Sequence, residues 1–130
     1  MNDSAKDRLK PILRIGFPGD DRLGRGKIEL LEHIRDTGSI SAAGRAMDMS
    51  YRRAWLLISE LNRMFEKPVV DAQRGGPRGG GALLTAFGEE LLQRFRGMEA
   101  SVRTALDGDL AWLEAHRRHS AQEEAEKDGS

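Results

Sequence analysis

Residues 38–85 constrain the fold of this chain more than any other stretch. Ser39 and Ser50 each precede a run of helix-forming residues, and a serine in that place accepts a hydrogen bond from an otherwise unpaired amide of the first turn. The first run, 40–47, is short, and Ala42, Ala43 and Ala46 give it small faces suited to close helix packing. Asp48 and Met49 form the turn. The second run, from 51 to about 65, places Ala54, Leu57, Ile58 and Leu61, with Met64 or Phe65, along one face at steps of three and four. Pro68 ends helical structure. Residues 69–73 and 82–84 then read as β-like arms around RGGPRGGG, a loop longer than the two-residue minimum whose glycines permit the turns of a hairpin tip. A short helix, a tight turn, a longer helix and a hairpin make a winged helix-turn-helix.

The flanks complete a mainly α fold with a small β-hairpin wing. Ile12, Leu13, Ile15 and Phe17 suggest a short strand over 11–17, followed by a loop at PGDDRLG. Ile28, Leu31 and Ile34 recur at helical spacing, widened by Leu30, so 26–37 is a helix stopped by Gly38. Thr85 caps a last long helix. Its apolar residues Phe87, Leu91, Phe95, Met98, Val102 and Ala105 form a stripe able to seam two helices together. Asp107-Gly108-Asp109 interrupts that helix, and Leu110, Trp112 and Leu113 add a further turn or two. The resulting division is a disordered N-terminus at 1–10, a winged helix-turn-helix at 11–84, a long C-terminal dimerisation helix at 85–119 and a disordered acidic tail at 120–130.

Composition narrows the setting. A chain of 130 residues suits one domain plus an arm. No apolar run approaches the roughly 20 residues of a membrane span, and MNDSAKDRLK lacks the apolar stretch of a signal peptide. Together with the absence of cysteine, this points to a cytoplasmic protein with no membrane partner and no disulfide or thiolate metal site. Aromatic residues make up only 5% of the chain, so the core rests on Leu, Ile, Met and Ala. Such a core is thin for a monomer, and dimerisation would strengthen it.

Formal net charge is zero, which by itself argues against a nucleic-acid partner. The charges are unevenly placed, however. Arg45, Arg52, Arg53, Arg63, Lys67, Arg74 and Arg78 outnumber Asp48, Glu60, Glu66 and Asp71 over 45–78, whereas Glu123, Glu124, Glu126 and Asp128 crowd the tail. Screening keeps a distant acidic tail from cancelling a local cationic surface. Removing the buried stripe from the second helix of the motif leaves Tyr51, Arg52 and Arg53 outward at its N-terminal end. That is the end which enters a major groove in such motifs. An arginine fork fits guanine O6 and N7, and it also holds phosphates. Arg74 and Arg78 in the wing are placed for phosphates or a narrow minor groove.

Blander readings stand beside these. A helix-turn-helix also serves as a protein-interaction module with merely solvated arginines, and the wing can be a plain connection. Tyr51 can touch phosphate or pack, and Trp55 reads as a packing residue. The glycine loop lacks the GK[ST] and the following helix of a nucleotide-binding loop. His116 and His119 stand three apart without a third ligand, and His33 reads as exposed, so no metal or cofactor is implied. No nucleophile, base and orienting group assemble into a catalytic set, so an enzyme is not expected.

GSISAAGRAMDMSYRRAW, then ISELN, then RGGPRGGGALLTAFGEELL resembles the N-terminal DNA-binding domain of ModE-type molybdate-responsive regulators, over roughly residues 12 to 106. A looser similarity, in the S-x-S-x-A and LT-x-x-G patterns, extends to the LysR-type winged helix. The resemblance implies a homodimer whose recognition helices face neighbouring major grooves of a palindromic double-stranded operator. It implies base or backbone contacts from Ser50, Tyr51, Arg52 and Arg53, backbone contacts near Ser39 and Ser41, and wing contacts from Arg74 and Arg78. The long helix after the wing, with Phe87, Leu91, Phe95, Met98 and Val102, would pair the subunits together with the first part of the chain. Members of the family carry C-terminal molybdate-binding modules, whereas this sequence reaches Ser130 through an acidic helical tail. The expectation is therefore a transcriptional regulator without its own molybdate-sensing domain, so that either a separate protein senses the ligand or regulation works by another route. The alternative is a protein-interaction module that heterodimerises with, or modulates, a full-length regulator.

Overall fold

The computed structural model of the protein describes residues 8–73 and 81–118. A short antiparallel hairpin opens it, with β1 (Ile15–Gly16) against β2 (Arg22–Leu23) and Ile15 opposite Leu23. The turn is closed by the Phe17 amide donating to the Asp21 carbonyl at 2.9 Å. The expected strand over 11–17 thus contracts to two residues, and its partner lies in the segment read as a loop. Arms this short have no room for a period of two, so nothing in their sequence announces them.

Helix α1 (Arg25–Thr37) buries Ile28, Leu30, Leu31 and Ile34 completely and ends at Gly38, which adopts φ 68°. That left-handed conformation favours glycine. It turns the Gly38 amide back onto the Ile34 carbonyl at 2.8 Å and leaves the Gly38 carbonyl free to accept from Ala82 at 3.1 Å. Ser39 Oγ then accepts from the Ala42 amide at 3.0 Å to start α2 (Ile40–Ala46). Ser50 Oγ accepts from the Arg53 amide at 3.0 Å to start α3 (Tyr51–Met64). Asp48 makes the turn between them at φ 55°. Gly44 is buried where α2 and α3 pack closely, and a β-carbon there would stand at contact distance, 3.4 Å, from the Ala54 side chain and the Met49 carbonyl.

The wing is β3 (Val70–Ala72) against β4 (Ala82–Leu84), with Val70 opposite Leu84. Asn62 ties it to α3. Its Oδ1 accepts from the Val69 amide at 2.7 Å and the Val70 amide at 3.1 Å, while its Nδ2 donates to the Val70 carbonyl at 3.1 Å. An unmade hydrogen bond at a part-buried amide costs its desolvation. Asn62→Ala, which strips both amides of their acceptor, is expected to lower stability by about 2 kcal/mol, measurable as a drop in the urea midpoint with an unchanged slope.

Thr85 then launches α4 (Ala86–Ala105). Its hydroxyl accepts from the Gly88 amide at 2.9 Å and donates to the Pro68 carbonyl at 2.7 Å. Gly88 is buried against the Val69 carbonyl, and any β-carbon at 88 would overlap that oxygen. Leu91, Leu92 and Phe95 complete the core, and Phe87 meets Phe65 edge-on with ring centroids 5.4 Å apart.

The expected dimer seam therefore divides. Phe95 is wholly buried and Leu91 is 8% exposed within the chain's own core, and Phe87 packs against it, so these three are core residues rather than a free seam. A three-four period marks any buried helix face, and it cannot say whether the same chain or another does the burying. Met98 is exposed and Val102 half-buried.

Arg96 fastens α4 to α1. It holds Glu32 bidentately at 2.6 and 2.9 Å and Glu99 at 2.6 Å. The Arg96 hydrogen bond, outweighing partial burial, keeps the Glu32 carboxyl below its ordinary value of 4.5, and Glu32 in turn raises Arg96. Because the folded value of Glu32 lies below the unfolded one, its stabilisation is full above about pH 4.5 and disappears as pH falls through the lowered folded value. The pair is about a third exposed and so partly screened, which leaves a contribution of about 1 kcal/mol. Glu32→Gln is expected to remove that share of the acid-side loss in a series of denaturant melts across pH.

The chain separates into two compact units, residues 12–100 and residues 1–11 with 101–130. Most of α4 thus belongs to the winged unit, where an expected boundary at 84/85 had set it apart. The reason is that Leu91, Leu92 and Phe95 lie in the core. In the other unit the long helix breaks at Leu106, and α5 (Asp107–His116) begins directly after it. Asp107-Gly108-Asp109 is therefore not the interruption but the first turn of a new helix, where carboxylates suit the positive end. Over the described residues 85–118 there are thus two helices rather than one. Among its described residues α5 buries none, and Trp112, 61% exposed, stacks on His116 at 4.5 Å.

Candidate nucleic-acid interface

The Ser50 cap fixes where α3 starts and hence which residues occupy its opening turn. Tyr51, Arg52 and Arg53 are all exposed there, while Ala54, Ile58 and Leu61 are buried on the opposite side. Among the described residues neither Arg52 nor Arg53 has a side-chain hydrogen bond or ion pair. No acid stands in the first turn of α3. The unpaired amides of a helix start and its positive dipole end add to the two guanidiniums, so this tip attracts anions.

Tyr51 lies edge-on to Trp55, with centroids 6.2 Å apart and planes at 79°. Trp55 itself is half-buried against the core. The indole thus fixes a tyrosine that is still 47% exposed. Ser39 is half-buried and its oxygen is engaged in the α2 cap. Ser41, on the first turn of α2, accepts from Arg45 Nη1 at 2.8 Å. Arg74 and Arg78 lie outside the described residues, as does His119. His33, expected to be exposed, is half-buried. Ser50, Tyr51, Arg52 and Arg53 are therefore brought together on one helix tip, with Ser39 and Ser41 on the neighbouring helix start.

A second cationic feature escaped the sequence reading. Arg14, Arg22, Arg25 and Lys27 line a cleft of about 610 Å³ together with Arg53, and among the described residues no acid lines it. Lys27 braces its walls, reaching Glu60 at 3.1 Å and the Arg22 carbonyl at 2.9 Å. These cations are scattered in the chain and are gathered only by the β1–β2 turn and the start of α1. The available hint was the sign of the charge over 10–27, where Lys10, Arg14, Arg22, Arg25 and Lys27 face only Asp20 and Asp21.

Among the described residues no three His, Cys, Asp or Glu side chains cluster so as to hold a metal ion. Nor, among them, is any helix long and apolar enough to cross a membrane.

Residues 26–89 match the profile of the LysR family of bacterial regulatory helix-turn-helix proteins. These residues are a LysR-type helix-turn-helix domain. The LysR-type domain takes in α1, α2, α3, the wing strands and the first turn of α4. Curated relatives include the molybdenum-pterin-binding protein MopB of Rhodobacter capsulatus, 44% identical over 85 residues that make up 65% of this chain and 32% of MopB. MopA of the same organism is 37% identical over 106 residues, 82% of this chain and 39% of MopA. The DNA-binding transcriptional dual regulator ModE of Escherichia coli K12 is 42% identical over 69 residues, 53% of this chain and 26% of ModE. The chain thus spans well under half the length of these relatives.

Proposed function

We propose that this chain is a non-enzymatic, sequence-specific regulator of transcription that binds double-stranded DNA as a homodimer in the cytoplasm. The observation that carries the reading is the tip of α3, where Arg52 and Arg53 stand exposed and unpaired among the described residues, on a helix whose other face is locked into the core. In this reading α3 enters the major groove. Arg52 and Arg53 reach base edges or flanking phosphates, Ser50 and Tyr51 contact the backbone, and Ser39 and Ser41 meet it from the start of α2. Arg74 and Arg78 extend the footprint from the wing. The likeness to ModE of Escherichia coli K12, a DNA-binding transcriptional dual regulator, supports the assignment.

Two copies would place two recognition helices one helical turn of DNA apart, about 34–36 Å. Met98, 40% exposed, supports pairing in the winged unit. In the other unit Trp112 and Leu113, 61% and 48% exposed, supply large apolar surface that a second copy would cover. The test is selection from random duplex DNA with the purified chain, followed by sedimentation equilibrium. Enrichment of an inverted repeat by a dimer is expected. A pool that stays random through successive rounds would defeat the proposal.

A further inference from the structure

We propose that the cleft beside α3, lined by Arg14, Arg22, Arg25 and Arg53, holds a sugar-phosphate strand of the duplex flanking the groove that α3 reads. This rests on the DNA-binding reading above and adds a second contact surface to it.

Charge is the first argument. Among the described residues, every charged side chain lining the cleft is a cation. Among the described residues, Arg14, Arg22 and Arg53 have no ion pair. Arg25 is paired on the surface with Glu29, to which its Nε and Nη2 donate at 3.3 and 3.2 Å. Lys27, tied to Glu60, serves as a brace, so its charge is already matched. Arg14, Arg22 and Arg53, gathered here with no acid paired to them among the described residues, repel one another, and a phosphate strand supplies the missing counter-charge.

The second argument is the wall between them. Gly24, the residue before α1, gives no side-chain cap, and the first turn of α1 holds no acid. A β-carbon at Gly24 would meet Arg14 Cγ at 3.3 Å, so the stem of Arg14 lies directly over the helix start. Ile12, Leu13, Met49 and Leu57 supply apolar surface between the cations, which suits deoxyribose rings better than a bare ion.

Continuity is the third. Arg53 belongs both to the cleft and to the opening turn of α3. A duplex that receives the tip of α3 in a major groove about 12 Å wide carries a strand along each side of that groove. A cationic trough sharing a residue with the tip lies where one of those strands passes.

The experiment uses the full chain, a duplex selected by the wild type and a scrambled duplex of equal length, with anisotropy read across a salt series. Arg14→Ala/Arg22→Ala is expected to weaken binding to both duplexes about tenfold and to flatten the slope of log affinity against log salt by about 1.8, two phosphate contacts' worth. The selected sequence should stay the same, because strand contacts carry no base information. Arg14→Lys/Arg22→Lys should retain the wild-type slope, which separates lost charge from a damaged fold. A wild-type slope in the alanine variant overturns the cleft assignment alone, whereas a wild type that binds no duplex overturns the regulator reading itself. A third arm titrates inorganic phosphate into the DNA-free chain. Saturable phosphate binding that the alanine variant loses, with its DNA slope unchanged, would assign the cleft to a free anion and overturn the strand contact.

Discussion

Gly88→Ala is expected to destabilise the winged unit by about 3 kcal/mol and to lower the melting temperature by roughly 10 °C or more. The cause is steric. A β-carbon at 88 would overlap the Val69 carbonyl oxygen and crowd the Val69 carbonyl carbon at 3.2 Å. That carbonyl already accepts from the Thr85 amide at 3.0 Å, so it cannot swing aside without breaking the junction between wing and helix. Either α4 lifts from the hairpin, loosening Leu91, Leu92 and Phe95, or the hairpin yields and the Asn62 bonds to Val69 and Val70 are lost. Gly97→Ala is the control. It lies in the same helix with nothing within 4 Å of its added β-carbon, and it should stabilise by about 0.5–1 kcal/mol through helix propensity alone. Equal urea midpoints for the two variants would show that the start of α4 does not bear on the hairpin as described.

The same junction gives a physical meaning to the LT-x-x-G pattern. Thr85 caps the helix and grips Pro68, and the residue three positions on must lack a side chain for the helix to lie against Val69. Local punctuation of this kind is readable from a single chain. Ser39, Ser50 and Gly38 each act within a few residues of themselves, so the helix starts and stops follow from residue type and spacing. Features made by distant residues are not readable in that way. Asn62 stands near the end of α3 with nothing in its surroundings in the sequence to mark it, and only the fold brings the Val69 and Val70 amides to it. Arg14, Arg22, Arg25 and Arg53 share no period, and the cleft exists only after the β1–β2 turn folds onto α1 and α3. The stripe from Phe87 to Val102 shows a different limit. Its period marks a buried face as far as Phe95, where the burying surface is the chain's own core, whereas Met98 is exposed. At Leu106 the difficulty is that aspartate both interrupts and initiates helices, and which it does depends on the residue before it.

Arg52→Ala/Arg53→Ala should weaken binding to a selected operator on the order of 100-fold, because each lost bidentate or phosphate contact removes about 1–3 kcal/mol. Folding should be untouched, since both side chains are exposed and the Ser50 cap engages the Arg53 backbone amide rather than its side chain. Single substitutions separate the roles. A variant that relaxes preference at one base position marks a base reader, whereas one that weakens all sequences evenly and lowers the salt slope marks a phosphate contact. Arg53, shared with the cleft, should show more of the second behaviour than Arg52.

The decisive measurement is fluorescence anisotropy of a labelled selected duplex titrated with the wild type and with Arg52→Ala/Arg53→Ala, at two salt concentrations. The reading of α3 as the element that enters DNA predicts tight, salt-sensitive binding by the first and a loss of about two orders of magnitude by the second. Equal affinity of the two proteins for that duplex, with both folded, would contradict it.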